Sequence, residues 1–339
     1  MKTGVIGAGS WGTALAILLN ENGNDVTLWS HRESEAEQIR RTRRTSKLAE
    51  AVLPERIAVT SELAVAAGGC EVLVLVVPSA CVRETCEKLA PFVQPGTVIV
   101  SASKGIEERT LLTMTDIVDE VIPQAETAVL SGPSHAEEVS RGLPTACVIG
   151  AKRERTARRL QQLFMSPVFR VYISSDMTGI ELGGALKNVI ALAAGIADGM
   201  GYGDNAKAAL ITRGMVEIAR LGMKMGGKLE TFSGLTGIGD LIVTCASMHS
   251  RNRRAGILLG QGRTMEEAMR EVNMVVEGVY SAKAAMSLAG KHGVELPIIG
   301  QVCEILFCGK DPKLAVSELM LRDTKVENTL IPWTDDKEM

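Results

Sequence analysis

Three features of this 339-residue chain predict an α/β fold in which a mostly parallel sheet domain is followed by an all-helical C-terminal domain. The first is the run T-G-V-I-G-A-G-S-W-G at 3–12, where Gly7, Gly9 and Gly12 follow a short apolar strand and open a helical run over 13–22. The second is a regular alternation of apolar strand-like runs with helical segments as far as about residue 175. The third is the loss of that strand pattern beyond Ser174, where long helical runs take over. Alternation of the first kind lays strands side by side with helices on both faces, and with the glycine run it makes the first domain Rossmann-like.

The first strand, 3–6, ends on Gly7, which allows a tight turn. Gly9 lets the backbone approach a pyrophosphate, and Gly12 lets the following helix pack closely, with its N-terminal N–H groups facing the phosphates. Ser10 and Trp11 lie between them. A bare glycine fingerprint is weak evidence; here a strand, a helix and a second strand at 25–29 supply the context it requires. After that second strand the chain reads Ser30, His31, Arg32, where a chain specialised for NAD tends to carry Asp or Glu for the ribose hydroxyls. No carboxylate is expected there to repel a 2′-phosphate, Arg32 can pair with one, and His31 can lie near the adenosine. NADP(H) is therefore the favoured cofactor, with NAD(H) also admitted. The plainer alternative is that His31 and Arg32 are solvated loop residues.

Further strand runs follow at 72–77, 97–101, 128–130, 146–149 and 169–171. The turns Pro78-Ser79, Ser103-Lys104-Gly105 and Ser131-Gly132-Pro133 close three of these runs, and the C-terminal ends of parallel strands line a ligand crevice. Residues 176–201 are apolar and carry five glycines up to Gly199, which reads as a helix buried on most sides and closely packed. Helical runs then appear at 204–223, 250–260, 265–272, 278–292, 298–307 and 313–320. The predicted division is 1–175 for dinucleotide binding, 176–328 for a helical substrate and catalytic domain, and 329–339 for a frayed tail.

Composition narrows the function. Apolar residues make up 46 % of the chain but aromatic residues only 3 %, so it is poorly equipped to stack nucleic-acid bases. A net charge of -3 argues against a general polyanion binder, and the local run Arg40, Arg41, Arg43, Arg44 reads as a solvated helix face. Seven cysteines without a C-x-x-C pair read as reduced thiols of a cytoplasmic protein, and the four histidines show no metal-binding spacing, so no metal is expected. The first strand begins almost at Met1, which leaves no room for a targeting peptide, and no apolar stretch reads as a convincing membrane span, so stable membrane insertion is not expected.

Lys187 is the residue most suited to proton transfer. It sits with Asn188 in G-G-A-L-K-N-V-I-A-L-A-A-G, where loss of hydration favours the neutral amine; a lysine snorkelling to solvent is the alternative. Asp240, after the glycine-rich turn of Gly234, Gly237 and Gly239, can orient an ammonium, and Thr244 faces the same way one helical turn later. Ser250 has the character of an N-cap, so helix N–H groups, Arg251 and Asn252 can converge on a phosphate, while Arg253 and Arg254 are expected to be solvated. Lys104 is placed to hold a substrate oxygen at the strand end, and Gly132 and Ser134 belong to a small-residue turn suited to close backbone approach. Glu277, following Val275, reads as a helix N-terminal acid.

Together the motifs G-A-G-S-W-G at 7–12, V-P-S at 77–79, S-K-G-I-E at 103–107, S-G-P-S-H-A-E-E-V at 131–139, G-A-L-K-N-V at 184–189, T-R-G at 212–214, G-L-T-G-I-G-D-L-I-V-T-C at 234–245, S-R-N at 250–252 and V-V-E-G at 275–278 resemble the NAD(P)-dependent sn-glycerol-3-phosphate dehydrogenases of the bacterial type. The resemblance implies reversible hydride transfer between the nicotinamide and C2 of dihydroxyacetone phosphate, giving sn-glycerol 3-phosphate for phospholipid synthesis. It implies Lys187 as general acid/base. It implies Lys104, Gly132, Ser134, Lys187, Asn188, Asp240, Ser250, Arg251 and Asn252 around the substrate, with Asp240, Lys104 and Thr244 supporting the chemistry. Cofactor contacts are implied for Gly7, Gly9, Ser10, Trp11, Gly12, His31, Arg32, Lys104, Ala136, Arg251, Val275 and Glu277. A homodimer is the expected assembly.

Residues 43–57, R-R-T-S-K-L-A-E-A-V-L-P-E-R-I, depart from the family pattern and keep only Leu53-Pro54 of it, which puts any cofactor contact from that loop in doubt. Two other functions stay open at this point: a hydroxyacid or ketopantoate reductase, which would need no phosphate pocket, and a non-catalytic NADP(H)-binding sensor.

Overall fold

The computed structural model describes residues 1–324 and 326–327; the expected tail at 329–339 lies outside the described residues. Eight strands form one sheet: β1 (Lys2–Ile6), β2 (Asp25–Trp29), β3 (Ala58–Thr60), β4 (Val72–Leu75), β5 (Val98–Ser101), β6 (Glu126–Ser131), β7 (Thr145–Ala151) and β8 (Phe169–Ser174). Their order is β3-β2-β1-β4-β5-β6-β7-β8. Strands β1 to β6 are parallel, β7 is antiparallel to β6, and β8 is parallel to β7, so the sheet is mostly parallel. Every residue of β4 is fully buried, as required of a strand covered on both faces. The edge strand β3 is absent from the predicted set; with three residues it carries too little apolar pattern to register.

Strand order reverses between β1 and β4, the switch point where α/β sheets open a crevice. Gly7 stands there with φ +131°, and a Cβ on it would lie 2.5 Å from the Val76 carbonyl oxygen. A Cβ on Gly12 would lie 1.9 Å from the Gly7 carbonyl oxygen, so the helix Ser10–Glu21 abuts the turn. A Cβ on Gly9 would meet nothing within 4 Å. Two glycines are thus demanded by packing, and the middle one faces open space at the helix N-terminus.

The run of arginines at 40–44 is a solvated helix face only in its first half, where Arg40 and Arg41 lie exposed on the helix Glu33–Thr42; Arg43 and Arg44 lie beyond it, which corrects the expectation for them. The helix Glu33–Thr42 ends at Arg43, whose φ of 54° turns the chain away. The Arg43 guanidinium then donates to the carbonyl oxygens of Leu53, Pro54 and Ile57, and Arg44 donates to that of Ala49 at 2.8 Å. Residues 43–57 are stitched shut in this way, with Leu48, Leu53 and Ile57 buried in the core of the sheet domain.

Beyond β8 the described chain is helical. The central helix, Met177–Gly199, does reach the length and composition of a membrane span, contrary to the sequence reading, yet its most apolar window is wholly buried in protein. It packs on the helix Arg251–Gly260 backbone against backbone: a Cβ on Gly195 would sit 2.1 Å from the Arg253 carbonyl oxygen, and one on Gly256 would sit 2.2 Å from that of Leu192. The stretch read as a glycine-rich turn before Asp240 is instead a π-helical turn, Leu235–Gly239, between short helices at Leu229–Phe232 and Asp240–Ala246. The remaining helices are Asp204–Lys224, Met265–Val272, Glu277–His292, Pro297–Cys308 and Pro312–Met320.

Candidate active site

The strand-end turns after β5 and β6 meet the helical region around one buried carboxylate, and the turn after β4 meets it at Glu277. Asp240, at the start of its short helix, is 1 % exposed and takes a lysine on each oxygen. Lys187, from the middle of the central helix, pairs with Oδ1 and donates to Thr244 Oγ1 at 2.7 Å. Lys104, from the turn after β5, donates to Oδ2 at 2.6 Å and to the Gly132 carbonyl oxygen at 3.0 Å. The Thr244 hydroxyl donates in turn to the Asp240 carbonyl oxygen at 2.6 Å, which fixes its lone pairs toward Lys187.

Two ammonium groups share one carboxylate, so the cluster carries surplus positive charge in a dry setting. Burial pushes the Lys187 amine down to about 8; Asp240 opposes the drop and Lys104 adds to it. Burial by itself would raise the Asp240 carboxyl, but Lys104 and Lys187 outweigh it and hold the group below the usual carboxylate range. Such a site stabilises an oxygen that gains negative charge and supplies a proton near neutral pH.

Gly132 lines the cluster with φ +145°, where a Cβ would lie 3.0 Å from Cys147 Cα, and Ser134 Oγ donates to its carbonyl oxygen at 3.1 Å. His135 follows, a residue the sequence reading quoted but gave no role. Its Nε2 is buried without a partner, its ring centroid lies 5.7 Å from that of His249, and burial and then Lys187 push it toward the neutral form.

At the head of the helix Arg251–Gly260, Ser250 Oγ accepts from the Arg253 amide at 3.2 Å as an N-cap. Asn252 donates to Asn188 Oδ1 at 2.9 Å and accepts from the Gly278 amide at 2.8 Å, while Asn188 donates to the Gly184 carbonyl oxygen at 3.4 Å. The two asparagines therefore brace three helices against one another beside Lys187. Arg251 is half-buried; burial weakens its hold on the proton and Glu277 opposes that. Arg253 is not solvated as expected: it ion-pairs with Asp198 at 2.7 Å, and Lys207 joins the same carboxylate at 2.8 Å. Arg254 is half-buried too, with Nε shielded and without a partner.

Glu277 is more than a helix N-terminal acid. It accepts from the Ser79 amide at 3.1 Å and from the Ser79 hydroxyl, tying the turn after β4 to the helix Glu277–His292. Burial raises its carboxyl, with Ser79 opposing. Val275 is half-buried and Ala136 is buried.

At the other end of the crevice Ser10 and Trp11 are half-buried at the head of the first helix, and His31 and Arg32 are exposed beyond β2. The expectation that no carboxylate stands there is corrected: the helix Glu33–Thr42 brings Glu35 back, so that Ser30 Oγ donates to it at 2.5 Å and Lys47 pairs with it at 2.8 Å. The open space over Gly9, the free N–H groups of the helix and the exposed Arg32 fit a dinucleotide lying from β2 across the switch point.

Residues 2–157 match the family described as NAD-dependent glycerol-3-phosphate dehydrogenase N-terminus, and 176–317 match its C-terminus counterpart. A glycerol-3-phosphate dehydrogenase (NAD(P)+) of Agathobacter rectalis is 57 % identical over 333 residues, covering 98 % of this chain and 99 % of the relative. The protein of that name in Fusobacterium nucleatum is 57 % identical over 330 residues, covering 96 % and 98 %. The crystal structure of glycerol-3-phosphate dehydrogenase from Coxiella burnetii superposes with a TM-score of 0.91 at 38 % identity, covering 95 % of this chain and 99 % of that one. A ketopantoate reductase from Ralstonia eutropha shares the fold at a TM-score of 0.62 and 15 % identity.

Proposed function

This chain belongs to the NAD-dependent glycerol-3-phosphate dehydrogenase family, and on that premise we propose that Lys187 is the acid/base of a reversible reduction of dihydroxyacetone phosphate to sn-glycerol 3-phosphate. The chain is an NAD(P)-dependent oxidoreductase, and the reaction follows the family. The assignment of Lys187 rests on one observation, a buried amine near pKa 8 held between Asp240 and Thr244.

When bound, the nicotinamide exchanges a hydride with C2 of the substrate. Lys187 gives its proton to the carbonyl oxygen in reduction and takes it back from the hydroxyl in oxidation. Asp240 orients that ammonium, and Lys104 adds a second cation beside the oxygen as negative charge develops. Ser250, Arg251 and Asn252 gather the phosphate at the helix N-terminus, and Gly132 and Ser134 contact the substrate beside Lys104. Asn188 holds Asn252 for that task. Gly7, Gly9, Ser10, Trp11 and Gly12 would hold the pyrophosphate, His31 and Arg32 would take the adenosine end, and Ala136, Val275, Glu277, Lys104 and Arg251 would contact the rest of the cofactor.

NADP(H) is the proposed preference, supported by the exposed Arg32. The boundary near residue 175 is supported by the end of β8 at Ser174 and the start of the central helix at Met177. A reducing cytoplasm suits seven unpaired cysteines, and a homodimer suits Val216 and Met223 exposed on the helix Asp204–Lys224. Supply of glycerophospholipid synthesis is the proposed role. The test is NADPH oxidation with dihydroxyacetone phosphate, beside unphosphorylated dihydroxyacetone and beside Lys187→Ala. Turnover that needs both the phosphate and Lys187 upholds the proposal, and turnover that survives loss of Lys187 overturns the acid/base assignment.

A further inference from the structure

The segment 43–57 departs from the family pattern, yet it is ordered by Arg43 and by the burial of Leu48, Leu53 and Ile57. What that order delivers is Lys47. Its amide is held by Thr45 Oγ1 at 3.3 Å, and its ammonium reaches Glu35 Oε1 at 2.8 Å. The other oxygen of Glu35 accepts from Ser30 Oγ, the hydroxyl of the first residue beyond β2. Both oxygens are engaged within the protein, and the Glu35 side chain is 18 % exposed.

A carboxylate at the tip of β2 normally accepts hydrogen bonds from the adenosine ribose hydroxyls and repels a 2′-phosphate. Here a lysine offsets its charge and each of its oxygens already has a partner within the protein. The neighbouring charges leave a cationic surface: Glu33 is tied to Arg40 and Ser61, Arg44 is turned to the Ala49 carbonyl oxygen, and Arg32 is exposed and forms no ion pair among the described residues. We propose that Lys47 masks Glu35, and that this mask, together with Arg32, lets the site accept a 2′-phosphorylated adenosine. Lys47 is a positioning and specificity-setting residue; removing it exposes a carboxylate suited to ribose hydroxyls and hostile to phosphate. The inference rests on the proposed NADP(H) preference but is separable from it.

The experiment is calorimetric binding of adenosine 2′,5′-bisphosphate and of adenosine 5′-monophosphate to the full chain, in wild type, Lys47→Met, Glu35→Gln and the double variant. Lys47→Met should weaken the bisphosphate by about tenfold relative to the monophosphate, and adding Glu35→Gln should return most of that ratio. A ratio within about twofold of wild type in Lys47→Met, or a double variant that stays as weak as Lys47→Met, overturns the mask. The wild-type ratio alone judges the cofactor preference: no advantage for the bisphosphate defeats that reading, while the change of ratio between variants still decides the role of Lys47. Unchanged melting temperatures establish that each variant is folded.

Discussion

Two lysine–carboxylate pairs in this protein use the same groups to different ends. In Lys187–Asp240 the side chains are 7 % and 2 % exposed; in Lys47–Glu35 they are 38 % and 18 % exposed. Without water the first pair feels burial as its largest influence, and the amine is brought to about 8, the range that the proposed proton transfer needs. The second keeps enough water to screen it, and its work is to cancel a charge. Depth, set by the helices that carry each residue, decides which chemistry a common pair performs.

The sharpest way to break this contrast is to remove the carboxylate at each depth. Asp240→Asn removes the carboxylate shared by the buried Lys187 and the half-buried Lys104 and should destabilise the fold by about 3–5 kcal/mol in denaturant melts; Glu35→Gln should cost less than about 1 kcal/mol. A similar loss for both would mean that burial does not separate the pairs. Lys187→Ala should lower turnover by about 10²–10⁴-fold, whereas Lys47→Met should leave turnover at saturating cofactor near wild type.

The pH dependence sharpens the comparison further. In the proposed mechanism reduction uses the Lys187 ammonium, so kcat for dihydroxyacetone phosphate should fall as pH rises through about 8; oxidation uses the neutral amine and should rise over the same range. Lys47→Met should leave both profiles in place. Gly256→Ala, which drives a Cβ toward the Leu192 carbonyl oxygen at 2.2 Å, should lower stability by about 1–3 kcal/mol and raise KM by moving the phosphate end away from Lys187. The smallest effect is that of salt: raising ionic strength should erode the binding advantage set by Lys47 while the position of the Lys187 pH transition stays put, because only the exposed pair is well screened.

Much of this was legible in the chain. Strand and helix periodicity located seven of the strand runs, and β3 escaped because three residues at a sheet edge carry no period. Lys187 announced itself as a charge in an apolar run. Arg253 looked solvated because its partner, Asp198, belongs to a different helix. No carboxylate was expected at the tip of β2 because Glu35 lies on a helix that only the fold turns back toward Ser30.

Local pattern by itself determined the Rossmann-like turn, the change from alternating strands to helices, and the isolation of Lys187, since each is written in residue spacing along one element. Only the tertiary structure decided that Lys187 meets Asp240 53 positions later, that Lys104 reaches the same carboxylate across 136, and that Ser79 closes on Glu277 across 198. The reason is physical. A period along the chain states which face of an element is apolar, but the partner of a buried charge depends on how closely two backbones approach, and here Gly183, where a Cβ would lie 2.6 Å from the Thr236 carbonyl oxygen, lets the central helix come close to the turn that leads into Asp240.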